Sequence, residues 1–207
     1  MNQKELNNFL IDSRKSFRNL FIYIDRIKDI MKYIDSILEG HQYSEGHTQF
    51  SNIATEKTRA RLNKWAWDWL PMYNYEFHFG VNQETNVSFS IIIIADTGFY
   101  DTSNKDKLDI DQYGDVEQSE SKIIFCVGKN NWFKNTKTEE DLAFEKIYSN
   151  NCDEYNGITN TSKYIYAYAY NLNSFLTKGQ IRANLEDFIN KCNDKKIDTI
   201  VIKKEIQ

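Results

Sequence analysis

YNYEFHFGVNQETNVSFSIIIIA, residues 73–95, decides the fold. Tyr73, Tyr75, Phe77 and Phe79 alternate with Asn74, Glu76 and His78, the period of two that puts successive side chains on opposite faces of a strand. GVNQETN then reads as a turn and VSFSIIIIA as the second arm of a hairpin. The unbroken isoleucines predict a central strand near Asp96, buried on both faces.

Upstream, Trp65, Trp67 and Trp69 continue the odd-numbered row of rings. There the strand spacing competes with a helical one through Leu62, Trp65, Ala66 and Trp69. The lead-in TEKTRARLNKW, capped by Ser51 or Asn52, favours a helix that stops before Pro71, because a residue preceding proline avoids the α region. The first fifty residues carry the longest periodic signal. Leu6, Leu10, Ser13, Phe17, Leu20, Ile24, Ile27, Met31, Ile34 and Leu38 step by four and three without a break. A helix from about Lys4 to Glu39 is expected, roughly 50 Å long at 1.5 Å per residue. Phe9, Phe21, Ile22, Ile30 and Ile37 widen its seam, which favours packing inside the molecule over a homodimeric coiled coil.

Residues 40–52 read as a polar loop. KIIFCVG (122–128) and YIYAYAY (164–170) are further strands, and Thr138 opens a short helix to about Tyr148. Thr177 caps another helix that buries Ile181, Leu185, Phe188, Ile189 and Cys192. IDTIVIKK adds an edge strand blunted by its lysines. The elements lack regular βαβ alternation. The expected class is α+β: a largely antiparallel sheet of four to five strands, packed with a long N-terminal helix and two or three others. Residues 1–50 form the helix and loop, and residues 51–207 the α+β domain, together one compact unit.

The 207 residues are enough for a core without disulfide staples. Three scattered cysteines and the absence of an apolar leader or a membrane-length run suit a cytoplasmic protein. Usage rich in Asn, Lys and Ile, with a single proline, suggests an AT-rich bacterial or phage genome. Charge is uneven. Residues 101–120 hold seven acids against two lysines, a net of −5, which leaves +1 for the rest of a chain whose total is −4. No basic track accompanies the rings, so direct nucleic-acid binding is not expected.

Phosphate loops, nucleophile elbows, HExxH and CxxC pairs do not occur. His41, Glu45 and His47 lack a fourth zinc ligand nearby. DIDQYGDVEQSE, residues 109–120, resembles the calcium loop of an EF-hand, with Asp109, Asp111, Asp115, Glu117 and Glu120 at oxygen-donating positions and Gly114 at the turn. Tyr113 stands where a further carboxylate is usual. Glu120 and Lys122 spell E-x-K downstream of Asp96 and Asp101, a likeness to the PD-(D/E)xK nucleases, which implies metal held by the acids and a lysine beside the reacting water.

The favoured reading is a non-enzymatic interaction protein with no cofactor, Ca²⁺ being the one candidate ligand. It docks on a partner protein with a basic surface, as an inhibitor or accessory factor in bacterial defence or phage counter-defence. The acidic loop (Asp101, Asp106, Asp109, Asp111, Asp115) and the anchors Trp67, Tyr166 and Tyr168 would make the contact. A divalent-metal nuclease using Asp96 or Asp101, Glu120 and Lys122 is the alternative.

Overall fold

The computed structural model describes residues 2–48, 73–98, 113–130, 153–157 and 162–204. Helix α1 runs Gln3–Ile37. Its first turn is held by a capping box, in which Asn2 Oδ1 accepts from the amides of Lys4 and Glu5 while Glu5 Oε2 accepts from the Asn2 amide. Leu38 adopts extended backbone and ends the helix. Leu38–Glu39 (β1) then pairs antiparallel with Val201–Ile202 (β8), which ties the helix end to the C-terminal region.

Six antiparallel strands form the main sheet: β2 (Glu45–Thr48), β3 (Asn74–Asn82), β4 (Val87–Ile94), β5 (Lys122–Lys129), β6 (Glu154–Asn156) and β7 (Tyr164–Asn171), in the order β2-β3-β4-β5-β7-β6. The α+β class with an antiparallel sheet therefore holds, but the expected four to five strands become six plus a separate pair. The two additional strands in the main sheet are β2, inside the segment read as a polar loop, and β6. Both lie at sheet edges, where short, weakly patterned segments can borrow the backbone groups of a stronger neighbour. The expected helices at residues 52–70 and 138–148, and with them Trp67, lie outside the described residues.

β4 is buried along its whole length, as its isoleucines predict. One face of the sheet carries Phe79, Phe89, Ile91, Phe125 and Tyr166. Against it pack the C-terminal part of α1 and helix α2 (Lys178–Asp194). Thr177 caps α2 as expected, its hydroxyl accepting from the Gln180 amide at 3.2 Å. Ile181, Leu185, Phe188 and Cys192 recur at four and three along α2 and all are buried. The other face holds a smaller cluster, Ile92, Ile94, Ile124, Cys126, Ala167 and Ala169. Tyr73 packs with this second cluster, because β3 begins only at Asn74.

The β3–β4 register slips between His78 and Val81, where Gly80 has φ +71°. Glycine takes that conformation at the least steric cost, which suits Gly80 to the bulge. Arg26 joins α1 to the 3-10 turn Leu172–Phe175, its guanidinium donating to the carbonyls of Phe175 and Leu176 at 2.6 Å each.

Candidate functional site

Helix α1 divides into two unlike halves. From Ile27 onward its seam is core: Ile27, Ile30, Met31, Ile34 and Leu38 are all buried. Between Asn2 and Arg26 no residue is buried. Phe9 is 59%, Phe17 69% and Phe21 71% exposed, with Leu10 at 43%. The packed part, from Tyr23 to Ile37, covers about fifteen residues, or about 22 Å of a helix close to 52 Å long. The residues before Tyr23 thus project beyond the described strands with an apolar stripe open to solvent. At 100° per residue Glu5 and Asp12 flank one side of that stripe, and Arg14 and Arg18 flank the other. The stripe leads into a groove of about 420 Å³ between α1 and β3, lined by Met31, Tyr43, Tyr75 and Phe77 with Lys28 and Asp35 on its rim. No helix among the described residues is long and apolar enough to cross a membrane.

The acidic segment is described from Tyr113 onward, so Asp101, Asp106, Asp109 and Asp111 lie outside the described residues. Residues 115–119 form a tight turn. Asp115 Oδ1 accepts from the Glu117 amide at 3.0 Å, and its carbonyl accepts from the amides of Gln118 and Ser119 at 3.0 and 2.9 Å. A calcium loop would spend that carbonyl on the ion. Val116, at the position an EF-hand makes apolar for packing, is 77% exposed. Glu120 is fixed by strand-end contacts: its amide donates to Thr97 Oγ1 at 2.9 Å and Oε1 accepts from Asn171 Nδ2 at 2.9 Å. Asp115, Glu117 and Val116 face solvent.

Lys122 opens β5, with its ammonium 2.9 Å from Asp153 and 3.5 Å from Glu120. Asp96 lies at the end of β4 and accepts from the Gly98 amide through Oδ1 at 2.8 Å. Glu120 and Lys122 therefore do meet, in an ion pair that includes Asp153. Among the described residues no three His, Cys, Asp or Glu side chains gather to hold a metal ion.

Tyr166 is a correction to the anchor set. It has no exposure and stacks on Phe188, with centroids 5.8 Å apart and planes 16° apart, so it belongs to the core. Tyr168 is half-buried beneath the Lys191 ammonium, 4.6 Å from its ring centroid. Lys191 also donates to Asp187 at 2.9 Å, and Tyr170 donates to the same carboxylate at 2.7 Å. Burial alone would raise the Asp187 pKa, yet Lys191 and Tyr170 hold it below the usual carboxylate range. The Lys195 ammonium, 2.7 Å from Glu154, lowers that carboxyl in the same way.

Sequence reasoning missed a polar cluster inside the sheet. Asn74, Glu76, His78 and Ser90 are all buried, and His78 Nε2 lies 3.4 Å from Glu76 Oε1. His78, Ser90 and Cys126 stand in one row across β3, β4 and β5. Burial, with Glu76 adding to it, pushes the Cys126 thiol well up, so it stays protonated and is a poor nucleophile. The only sequence signal was polar residues at every second position of β3, a pattern ordinarily facing water. His41 is a second surprise. It is buried and its Nε2 donates to the Val87 carbonyl at 3.0 Å, whereas the loop reading left it beside Glu45 and His47.

No curated protein and no solved structure matches the chain. A family model described as PM0109 matches residues 3–198, and the chain belongs to that family.

Proposed function

We propose that this chain is a non-enzymatic interaction protein that docks on another protein through α1 and the acidic turn beside it. The observation that carries this reading is the projecting half of α1. Burying Phe9, Leu10, Phe17 and Phe21 would return on the order of 25 cal/mol per Å² of apolar surface, which the folded chain leaves unclaimed. Exposed apolar stripes rimmed by charge are characteristic of docking surfaces, and aromatic side chains are their usual anchors.

The acidic turn adds direction. Between it and α1 lies a cleft of about 580 Å³ that brings Glu117 and Glu120 near Tyr23 and Arg26. Negative charge grouped beside an apolar stripe favours a partner whose contact surface is basic, through faster and more selective encounter. The turn thus replaces the buried Tyr166 as the second element of the interface.

The test is affinity capture with the intact chain from cells that encode it, in parallel with Phe17→Glu and the pair Asp115→Asn, Glu117→Gln. A protein retained by the parent and lost from both variants supports the reading. Equal retention by all three chains removes it.

A further inference from the structure

We propose that residues 6–24 of α1 pair with the same segment of a second copy of the chain, as a parallel two-stranded coiled coil. This rests on the docking role of α1 argued above and names its occupant.

The period of the stripe points to a helix. Six seam positions from Leu6 to Ile24 keep the strict four-three step, with Ser13 the one polar member. On a straight helix such a repeat drifts by about 20° per heptad, so over the three heptads from Ile27 back to Leu6 the stripe turns about 60° away from the side that faces the sheet. A sheet or a loop cannot follow that winding. A second helix that supercoils with α1 can, because knobs at these positions enter holes on a helix of the same repeat.

Charge selects the orientation. The acidic ridge Glu5–Phe9–Asp12 and the basic ridge Arg14–Arg18 flank opposite sides of the stripe. In a parallel pair each acidic ridge meets the basic ridge of the other copy. In an antiparallel pair like ridges meet, with the Arg14 and Arg18 ridges set against each other near the middle of the overlap. Opposed like charges select against that arrangement.

Area fits a modest, concentration-dependent dimer. Phenylalanines of roughly 200 Å² each, exposed by 59%, 69% and 71%, offer on the order of 400 Å² per copy before Leu10 and the flanking stems are counted. Two copies bring the total near the roughly 1,000 Å² at which association becomes specific. The sheet and α2 pack on α1 from Tyr23 onward, so two copies can align the residues before it without displacing either core.

Sedimentation across the micromolar range tests the pairing, with Phe17→Glu as the disrupting variant. Phe17 is 69% exposed, so the variant keeps the fold, and unchanged circular dichroism verifies this. Orientation is read by oxidising Leu6→Cys in a Cys152→Ser background, where Cys126 and Cys192 are buried. In a parallel pair the two introduced sulfurs meet, whereas in an antiparallel pair each faces Ile24. A dimer that Phe17→Glu abolishes and Leu6→Cys crosslinks bears the proposal out. A parent chain that stays monomeric overturns it, as does a dimer indifferent to Phe17→Glu or one that Leu6→Cys does not crosslink. A monomer that still captures a foreign protein through Phe17 overturns the pairing alone and leaves the docking role standing.

Discussion

Tyr166 and Phe188 lie in an offset stack, ring planes 16° apart, and this stack fastens the sheet to α2. Phe125 meets the edge of Phe188 at 5.6 Å, so three rings from two strands and a helix share one contact. Tyr166→Ala is expected to cost about 3–5 kcal/mol, because truncating a buried aromatic loses transfer energy and leaves a cavity. A double-mutant cycle with Phe188→Ala should return a coupling of about 0.5–1.5 kcal/mol. Urea unfolding measures both. A loss below about 1 kcal/mol would mean that Tyr166 is a surface residue after all.

That row of tyrosines illustrates how far the sequence carried. YIYAYAY announced a strand with its rings on one face, but not which of them a helix would cover. Tyr164 and Tyr166 are buried, and Tyr168 and Tyr170 only partly so, because the covering depends on where α2 lies. The hairpin, the central isoleucine strand, the Thr177 cap and the seam of α1 were legible because each is a local pattern with a local cause. β2 was not. Its Gly46 has no strand preference, yet a Cβ there would sit 2.6 Å from Tyr75 Cε1, so the pairing needs that glycine for a reason only the neighbouring strand supplies. The same holds for Asn74, Glu76 and His78. Alternation with aromatics told their face, and only the second cluster of Ile92, Ile124 and Ala169 reveals that this face is also covered. Of the candidate site, the acids of the turn were legible, and the open stripe was not. Whether an apolar seam is core or surface depends on how much of the helix the sheet can reach.

The buried thiols give a chemical test of the core. Burial pushes the Cys192 thiol up to about 12 and Cys126 well above its ordinary value. Thiolate is the reactive form, so both should resist a disulfide reagent in the native protein. In a Cys152→Ser background, the two remaining thiols should react only after denaturant is added. Rapid native labelling of either would contradict their placement.

His41 should make the fold sensitive to mild acid. Its pKa is lowered, chiefly by burial, against the smaller opposing influence of the Val87 carbonyl. The unfolded chain then takes up the proton first, near pH 6.5. The stabilisation is complete above that value and is lost as pH falls through it toward the lower folded value. Unfolding midpoints in urea should decline from about pH 7 to about pH 5, and decline less in His41→Gln. His78 remains in both proteins, so the difference between them isolates His41. Parallel pH profiles would refute the assignment.

One seam should give two energetic answers. Ile27 and Ile34 have no exposure, and alanine at either should cost about 2–5 kcal/mol through the cavity it leaves. Phe17 lies on the same stripe but is 69% exposed, and alanine there should change stability by no more than about 0.5 kcal/mol in dilute protein. The contrast separates what the fold uses from what it leaves open. It also explains why Ile27 is a poor probe of self-association, since its alanine variant would weaken the core before touching any interface. Chemical denaturation of Phe17→Ala, Ile27→Ala and Ile34→Ala at one low concentration checks the ordering. If Phe17→Ala proves as damaging as Ile34→Ala, the projecting half of α1 is packed against the rest of the chain, and its stripe is not free to bind anything.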